Sequence, residues 1–169
     1  MSITPTPIDK VLTGAALVEH ETRVSVLRGC EFFDDLTSAE LNTLAGFVEL
    51  RAFRAGERVF LEGDSATWMA FVVEGKFSIT KQGTSQQPIS VTREFKSRIL
   101  GEMALLDGEN RSATCTTASV AKLIVMSSAE FERMSHTVPG LALKILRDIA
   151  KLVSRRLRVA SGMIVEAAS

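Results

Sequence analysis

Between Phe47 and Ser127 the apolar residues fall in short runs and alternations: FVELRAF, RVFLEG, WMAFVVEG, FSITKQG, ISVTREF, SATCTTAS and AKLIVMS. Gly56, Gly63-Asp64, Gly75 and Gly83 stand between them. Short apolar or alternating segments with turn residues at their ends predict strands, and this many at such spacing predict a β-sandwich or barrel. The flanks follow a different period. From Ile8 to about Gly29, Val11, Leu12, Ala15, Ala16, Val24 and Leu27 recur at roughly helical spacing. Thr37-Ser-Ala-Glu40 matches a capping box and predicts a short helix from Ser38 to about Gly46. A second box, Ser127-Ser-Ala-Glu130, ends the strand region, and Pro139 suits the first turn of a last helix. In that helix Leu141, Ile145, Leu146, Ile149, Val153 and Leu157 recur mostly at three- and four-residue steps. Lys144, Arg147, Lys151, Arg155 and Arg158 fall mostly elsewhere, so one face is apolar and the rest basic.

The expected fold class is therefore mainly β with flanking helices (α+β), and 169 residues suffice for one well-buried core. The boundaries expected are an N-terminal helical extension over 1–29, a main domain over 30–160 that includes the C-terminal helices, and a frayed tail over 161–169. Hydrophobic residues at 46% and charged residues at 24% indicate a folding, globular chain.

Twenty basic and twenty acidic residues leave no net field to attract a polyanion, so direct nucleic-acid binding is not expected. No apolar stretch is long enough to cross a bilayer, and the opening MSITPTPIDK lacks the pattern of a secretory leader. A cytoplasmic location follows as an expectation. Cys30 and Cys115 are too few for a disulfide framework and read as buried small apolar residues. His20 and His136 have no ligand spacing, so no metal is expected, and with it no metal-dependent barrel enzyme.

The chemistry concentrates between Arg98 and Cys115. There a short helical piece, Glu102 to Leu106, interrupts the strand region directly after Gly101. A glycine lets a ligand approach the backbone, and the free N–H groups of a first helical turn favour an anion. Arg111 can bring a planar guanidinium to the same place, and Ser112 a hydroxyl. A phosphate would repel Glu102, so the carboxylate there suits a neighbouring sugar hydroxyl. Phosphate and sugar together indicate a nucleotide.

The segment GEMALLDGENRSAT resembles the phosphate-binding cassette of the cyclic-nucleotide-binding domain family, which includes catabolite activator proteins, kinase regulatory subunits and gated channels. Phe53-Arg-Ala-Gly56-Glu57, Phe60-Leu-Glu-Gly63-Asp64 and Met69-Ala-Phe-Val-Val-Glu-Gly75 extend the likeness, which covers roughly Leu27 to Val159. The resemblance implies a jelly-roll-like β-barrel closed by two C-terminal helices. It also implies a ligand site formed by Leu100, Gly101, Glu102, Met103, Ala104, Arg111, Ser112 and Ala113. In it Gly101 and the backbone of Met103 and Ala104 line the cyclic phosphate, Arg111 pairs with it, Ser112 adds a hydrogen bond and Glu102 takes the ribose 2′-hydroxyl. The departures are local: Leu100 where an aromatic is frequent, Asn110 where proline often precedes the arginine, and Glu94-Phe-Lys-Ser97 in place of a glycine turn.

The function implied is a receptor for cyclic AMP, in preference to cyclic GMP, that signals by moving its last helix and catalyses nothing. Nothing after that helix is left to act as effector, so a separate, unidentified effector protein is expected, with a homodimer through the last helix as the preferred assembly. The alternative is a barrel that has lost its ligand, with Arg111 and Glu102 pairing only with each other, and that works as an interaction or oligomerisation module. Gly56, Gly63 and Gly75 are explained by turns alone. Trp68 opens a strand directly after a turn and is expected to pack or lie at the surface, outside the site.

Overall fold

The computed structural model describes residues 14–82, 88–91 and 99–167. Its elements are α1 (Gly14–Arg28), α2 (Ser38–Leu44), β1 (Glu49–Phe53), β2 (Arg58–Phe60), β3 (Trp68–Glu74), β4 (Phe77–Gln82), β5 (Pro88–Val91) and β6 (Ile99–Leu100). They continue with α3 (Met103–Asp107), β7 (Thr114–Thr117), β8 (Ala121–Ser127), α4 (Ser128–Thr137) and α5 (Pro139–Ala167). Single 3-10 turns follow α1 and α2, at Glu31–Phe33 and Ala45–Phe47.

The strands form two antiparallel four-stranded sheets, ordered β1-β8-β3-β6 and β2-β7-β4-β5. Two sheets in which strands distant in sequence lie side by side are the jelly-roll arrangement, which leaves few exposed edges. Val59, Phe77 and Cys115 from one sheet meet Ala70, Leu100, Ala121, Leu123 and Val125 from the other in a single buried cluster. The opposite face of the first sheet is covered as well. Phe71 on β3 lies with its ring centroid 4.7 Å from Phe32 and 4.6 Å from Phe33, and Ile124 and Met126 on β8 are fully buried. A sheet covered on both faces needs apolar residues at consecutive positions, which is why WMAFVV and LIVM read as runs and not as alternations.

The capping box at α2 is complete: Glu40 N–H donates to Thr37 Oγ1 at 3.2 Å and Thr37 N–H to Glu40 Oε2 at 2.8 Å. At the second box Glu130 N–H donates to Ser127 Oγ at 3.1 Å. Of the expected first helix, Gly14–Arg28 is α-helical and the residues from Ile8 to Thr13 lie outside the described ones. Among the described strands, β6 lies directly before the cassette and is the one that the apolar runs do not mark.

The chain divides into two compact units between Glu130 and Phe131. In the second, Pro139 begins α5, and Leu141, Ala142, Ile145 and Ile149 are buried whereas Arg147, Lys151, Arg155 and Arg158 are exposed. Two expectations fail here. The tail from residue 161 is helical as far as Ala167, and Leu157, counted in the apolar stripe, is 67% exposed. Ser161-Gly162 in VASGMIVEA would suit a turn, but no proline follows and the helix runs through the pair.

Candidate functional site

Arg111 is the centre of the site, and its backbone is fixed first. Its N–H donates to Asp64 O at 2.9 Å, and Gly63 N–H donates to Arg111 O at 2.8 Å. The turn that makes this clasp needs a positive φ at Gly63, +85°, and is tightened by Leu61 N–H donating to Asp64 Oδ2 at 3.0 Å. Glu62 N–H donates to Thr114 Oγ1 at 2.9 Å and extends the clasp one step along the cassette.

The side chain then turns inward until only 5% of the residue is exposed. Arg111 Nη2 donates to Trp68 O at 2.6 Å and Nη1 to Gly101 O at 3.2 Å. Its Cζ lies 4.4 Å from the Phe60 ring centroid and 4.5 Å from that of Trp68. The two rings stand edge to face, 72° apart with centroids at 5.9 Å, and so form an aromatic corner around the cation. Burial pushes the guanidinium pKa down, opposed first by the Asp64 carboxylate and also by that of Glu102. An arginine stays protonated under such conditions, so the site holds a positive charge largely withdrawn from water.

Gly101 is required by geometry. Its φ is +69°, and a Cβ there would run into the Arg111 guanidinium. Next to it Glu102 is buried, 7% exposed, in helical conformation at the start of α3. Its side chain makes no capping hydrogen bond to that helix. Gly108, at φ +70°, ends α3 in the left-handed conformation, and Glu109 N–H donates to Asp107 Oδ1 at 3.0 Å as the chain turns back toward Arg111.

The remaining expected residues divide. Leu100 is buried in the intersheet core, paired with Ala70, so it can offer a ligand only its backbone. Met103 is half exposed, and Ala104 contributes a helical backbone position. Ser112 is exposed and Ala113 half-buried, directly after Arg111. The departure at Glu94–Ser97 lies outside the described residues. Among those described, no three metal-ligating side chains cluster, and no helix is long and apolar enough to cross a membrane.

Sequence reasoning missed four contributors: Phe60, Gly63, Asp64 and Trp68. Gly63-Asp64 reads as an ordinary turn, and its second role lies in contacts with Arg111, dozens of residues away in the chain. Trp68 was expected outside the site, yet both its ring and its carbonyl oxygen meet Arg111. Beneath them Cys115 is fully buried in β7, and burial pushes its thiol up to about 12 against the opposing pull of Arg111. A separate cavity of about 360 Å³ lies between α1 and β1, lined by Glu19, Thr22, Arg23, Glu49 and Leu50, none of them in the cassette.

Residues 50–137 match the family described as the cyclic nucleotide-binding domain. The chain is 24% identical over 134 residues to the Cyclic AMP receptor protein of Thermus thermophilus, covering 79% of this chain and 60% of that protein. It is 32% identical over 118 residues to a cyclic nucleotide-gated potassium channel of Mesorhizobium japonicum, covering 70% of this chain and 31% of the channel. The chain thus spans 60% or less of the length of these curated relatives. The crystal structure of a cyclic nucleotide-binding domain from Methylobacillus flagellatus superposes with a TM-score of 0.75 at 21% identity, over 88% of this chain and 83% of that one. That likeness extends the shared fold over nearly the whole chain, and the match over more than half of the sequence makes this protein a member of the cyclic nucleotide-binding domain family.

Proposed function

We propose that the protein is a receptor for cyclic AMP, in preference to cyclic GMP, in which Arg111 pairs with the cyclic phosphate and Glu102 accepts from the ribose 2′-hydroxyl. The observation that carries this reading is a buried guanidinium beside a glycine that bears no side chain and a buried carboxylate. A withdrawn charge is costly unless it is paired, and an anion entering over Gly101 supplies the pair. Gly101 and the backbone of Met103 and Ala104 line the phosphate, with Ser112 and Ala113 completing the wall and Leu100 acting through its main chain. The preference for cyclic AMP leans on the absence of threonine after Arg111, since the resemblance associates threonine there with cyclic GMP in some members; Ser112 itself says little about the base. The name of the Thermus relative points the same way.

The output is conformational. The ligand shifts the last helix between two arrangements by its difference in affinity for them, and no bond is made or broken. The receptor domain runs from residue 30 through the last helix behind an N-terminal extension over 1–29, acts in the cytoplasm on a separate effector protein, and assembles as a homodimer through the last helix.

Calorimetry of the purified protein with cyclic AMP, cyclic GMP and 2′-deoxy cyclic AMP tests the reading. Cyclic AMP should bind most tightly, and the deoxy ligand about tenfold more weakly, the worth of one hydrogen bond to a charged group. Glu102→Gln should bring the ribo and deoxy ligands closer together. Absence of binding by either cyclic nucleotide would overturn the receptor assignment in favour of a barrel that works only through protein contacts.

A further inference from the structure

The resemblance accounts for Arg111 and the cassette but leaves Trp68 unexplained. Trp68 opens β3, where it pairs in register with Ser127 of β8, and Ser128 N–H donates to the neighbouring Thr67 O at 2.9 Å. Its backbone is therefore anchored in the centre of a sheet. From that anchor its carbonyl oxygen takes the shorter of the two hydrogen bonds that the Arg111 side chain makes, and its indole is one wall of the aromatic corner. The guanidinium of Arg51, on β1, lies 5.4 Å from the same ring, so two cations share one indole.

We propose that Trp68 is a positioning residue for the anion contact: with Phe60 it holds the Arg111 guanidinium in one orientation, one edge bonded to Gly101 O and the remaining donors left for an anion, before any ligand arrives. The inference rests on the receptor reading above and concerns what sets its affinity. A long arginine side chain has many rotamers, and ordering it at the moment of binding is subtracted from affinity. The aromatic corner orders it in advance, because a planar, weakly hydrated cation stacks well on aromatic rings, and the carbonyl oxygens of Trp68 and Gly101 fix its rotation. Those carbonyls accept from only part of the planar fork of N–H donors, which leaves the rest to meet phosphate oxygens. The indole itself need not touch the nucleotide; Trp68 acts through Arg111.

The chain supplies its own probe, because Trp68 is its one tryptophan and it has no tyrosine. Emission of the full-length protein excited at the red edge of indole absorption therefore reports on this corner alone. Addition of cyclic AMP should change that emission along the same curve as calorimetric binding. In the ligand-free protein Arg111→Lys, which keeps the charge but not the planar stack, should shift it as well. Trp68→Leu should weaken cyclic AMP binding about tenfold, and Trp68→Phe, which restores an aromatic face, should recover affinity to within about threefold of wild type. A purely structural role would lower the melting temperature and leave the affinity of the folded fraction unchanged. Should Trp68→Leu fail to fold, Phe60→Leu removes the other wall and should weaken binding by a similar factor. Binding by folded Trp68→Leu or Phe60→Leu within twofold of wild type, or ligand-free emission unmoved by Arg111→Lys, would overturn the inference while leaving the receptor reading intact. Failure of the wild type to bind either cyclic nucleotide would overturn both, and is told apart because it needs no variant.

Discussion

Arginine serves opposite ends in the barrel and in the C-terminal helix. Arg111 is buried, bonded to two backbone carbonyls and set in an aromatic corner, with its own backbone clasped by a turn from another part of the chain. Arg147, Arg155 and Arg158 on α5 are exposed, and their spacing keeps the apolar residues Ile145 and Ile149 on a different face. The charge is the same in both places. What differs is how much water each has given up, and so how much each depends on the partners the fold provides. A withdrawn cation depends on the partners around it; a solvated one serves mainly solubility and the marking of a helix face.

The largest test of that contrast is Arg111→Ala. It should weaken cyclic AMP binding at least about a hundredfold, on the order of 3 kcal/mol, by calorimetry. An affinity unchanged by the substitution would erase the distinction between the two kinds of arginine. A smaller effect lies just beneath the site, at Cys115. Its folded pKa is raised from the ordinary 9.0 to about 12, so between those values the unfolded chain has released a proton that the folded one retains. Stability is therefore full below about pH 9 and falls as pH rises towards 12, by up to about 1.4 kcal/mol per unit. In urea melts at about pH 8 and about pH 10, the wild type should lose about 1.4 kcal/mol more than Cys115→Ala. Parallel losses in the two proteins would show that the thiol under Arg111 is not held neutral by burial. The smallest effect belongs to α5, where Arg158→Ala should change stability by no more than about 0.5 kcal/mol in the same melts. A loss approaching that of a buried arginine would mean that this face is covered.

Much of this was legible in the residues because it depends on local order. Alternation and apolar runs mark all the strands except β6, which with two residues is too short to show a period. The α2 boundary follows from Thr37 and Glu40, whose capping bonds span only three residues. The cassette was legible for a related reason, since Gly101, Glu102 and Arg111 lie within one stretch of chain. The end of α5 was not, because Ser161-Gly162 marks a turn when read locally, yet the helix carries through it to Ala167.

By itself, the sequence determined a strand-rich sandwich or barrel and its helical flanks, through periodicity and capping, and its compact motif singled out Arg111 as the candidate centre of a site. Only the tertiary structure decided what surrounds that arginine. Phe60, Gly63, Asp64 and Trp68 reach it across a gap of dozens of residues in the chain, by sheet pairing and turn packing that no local pattern encodes. The physical reason is that a buried charge is stabilised by whatever dipoles, rings and carboxylates the fold brings within a few ångströms, and proximity of that kind exists only once the two sheets have closed.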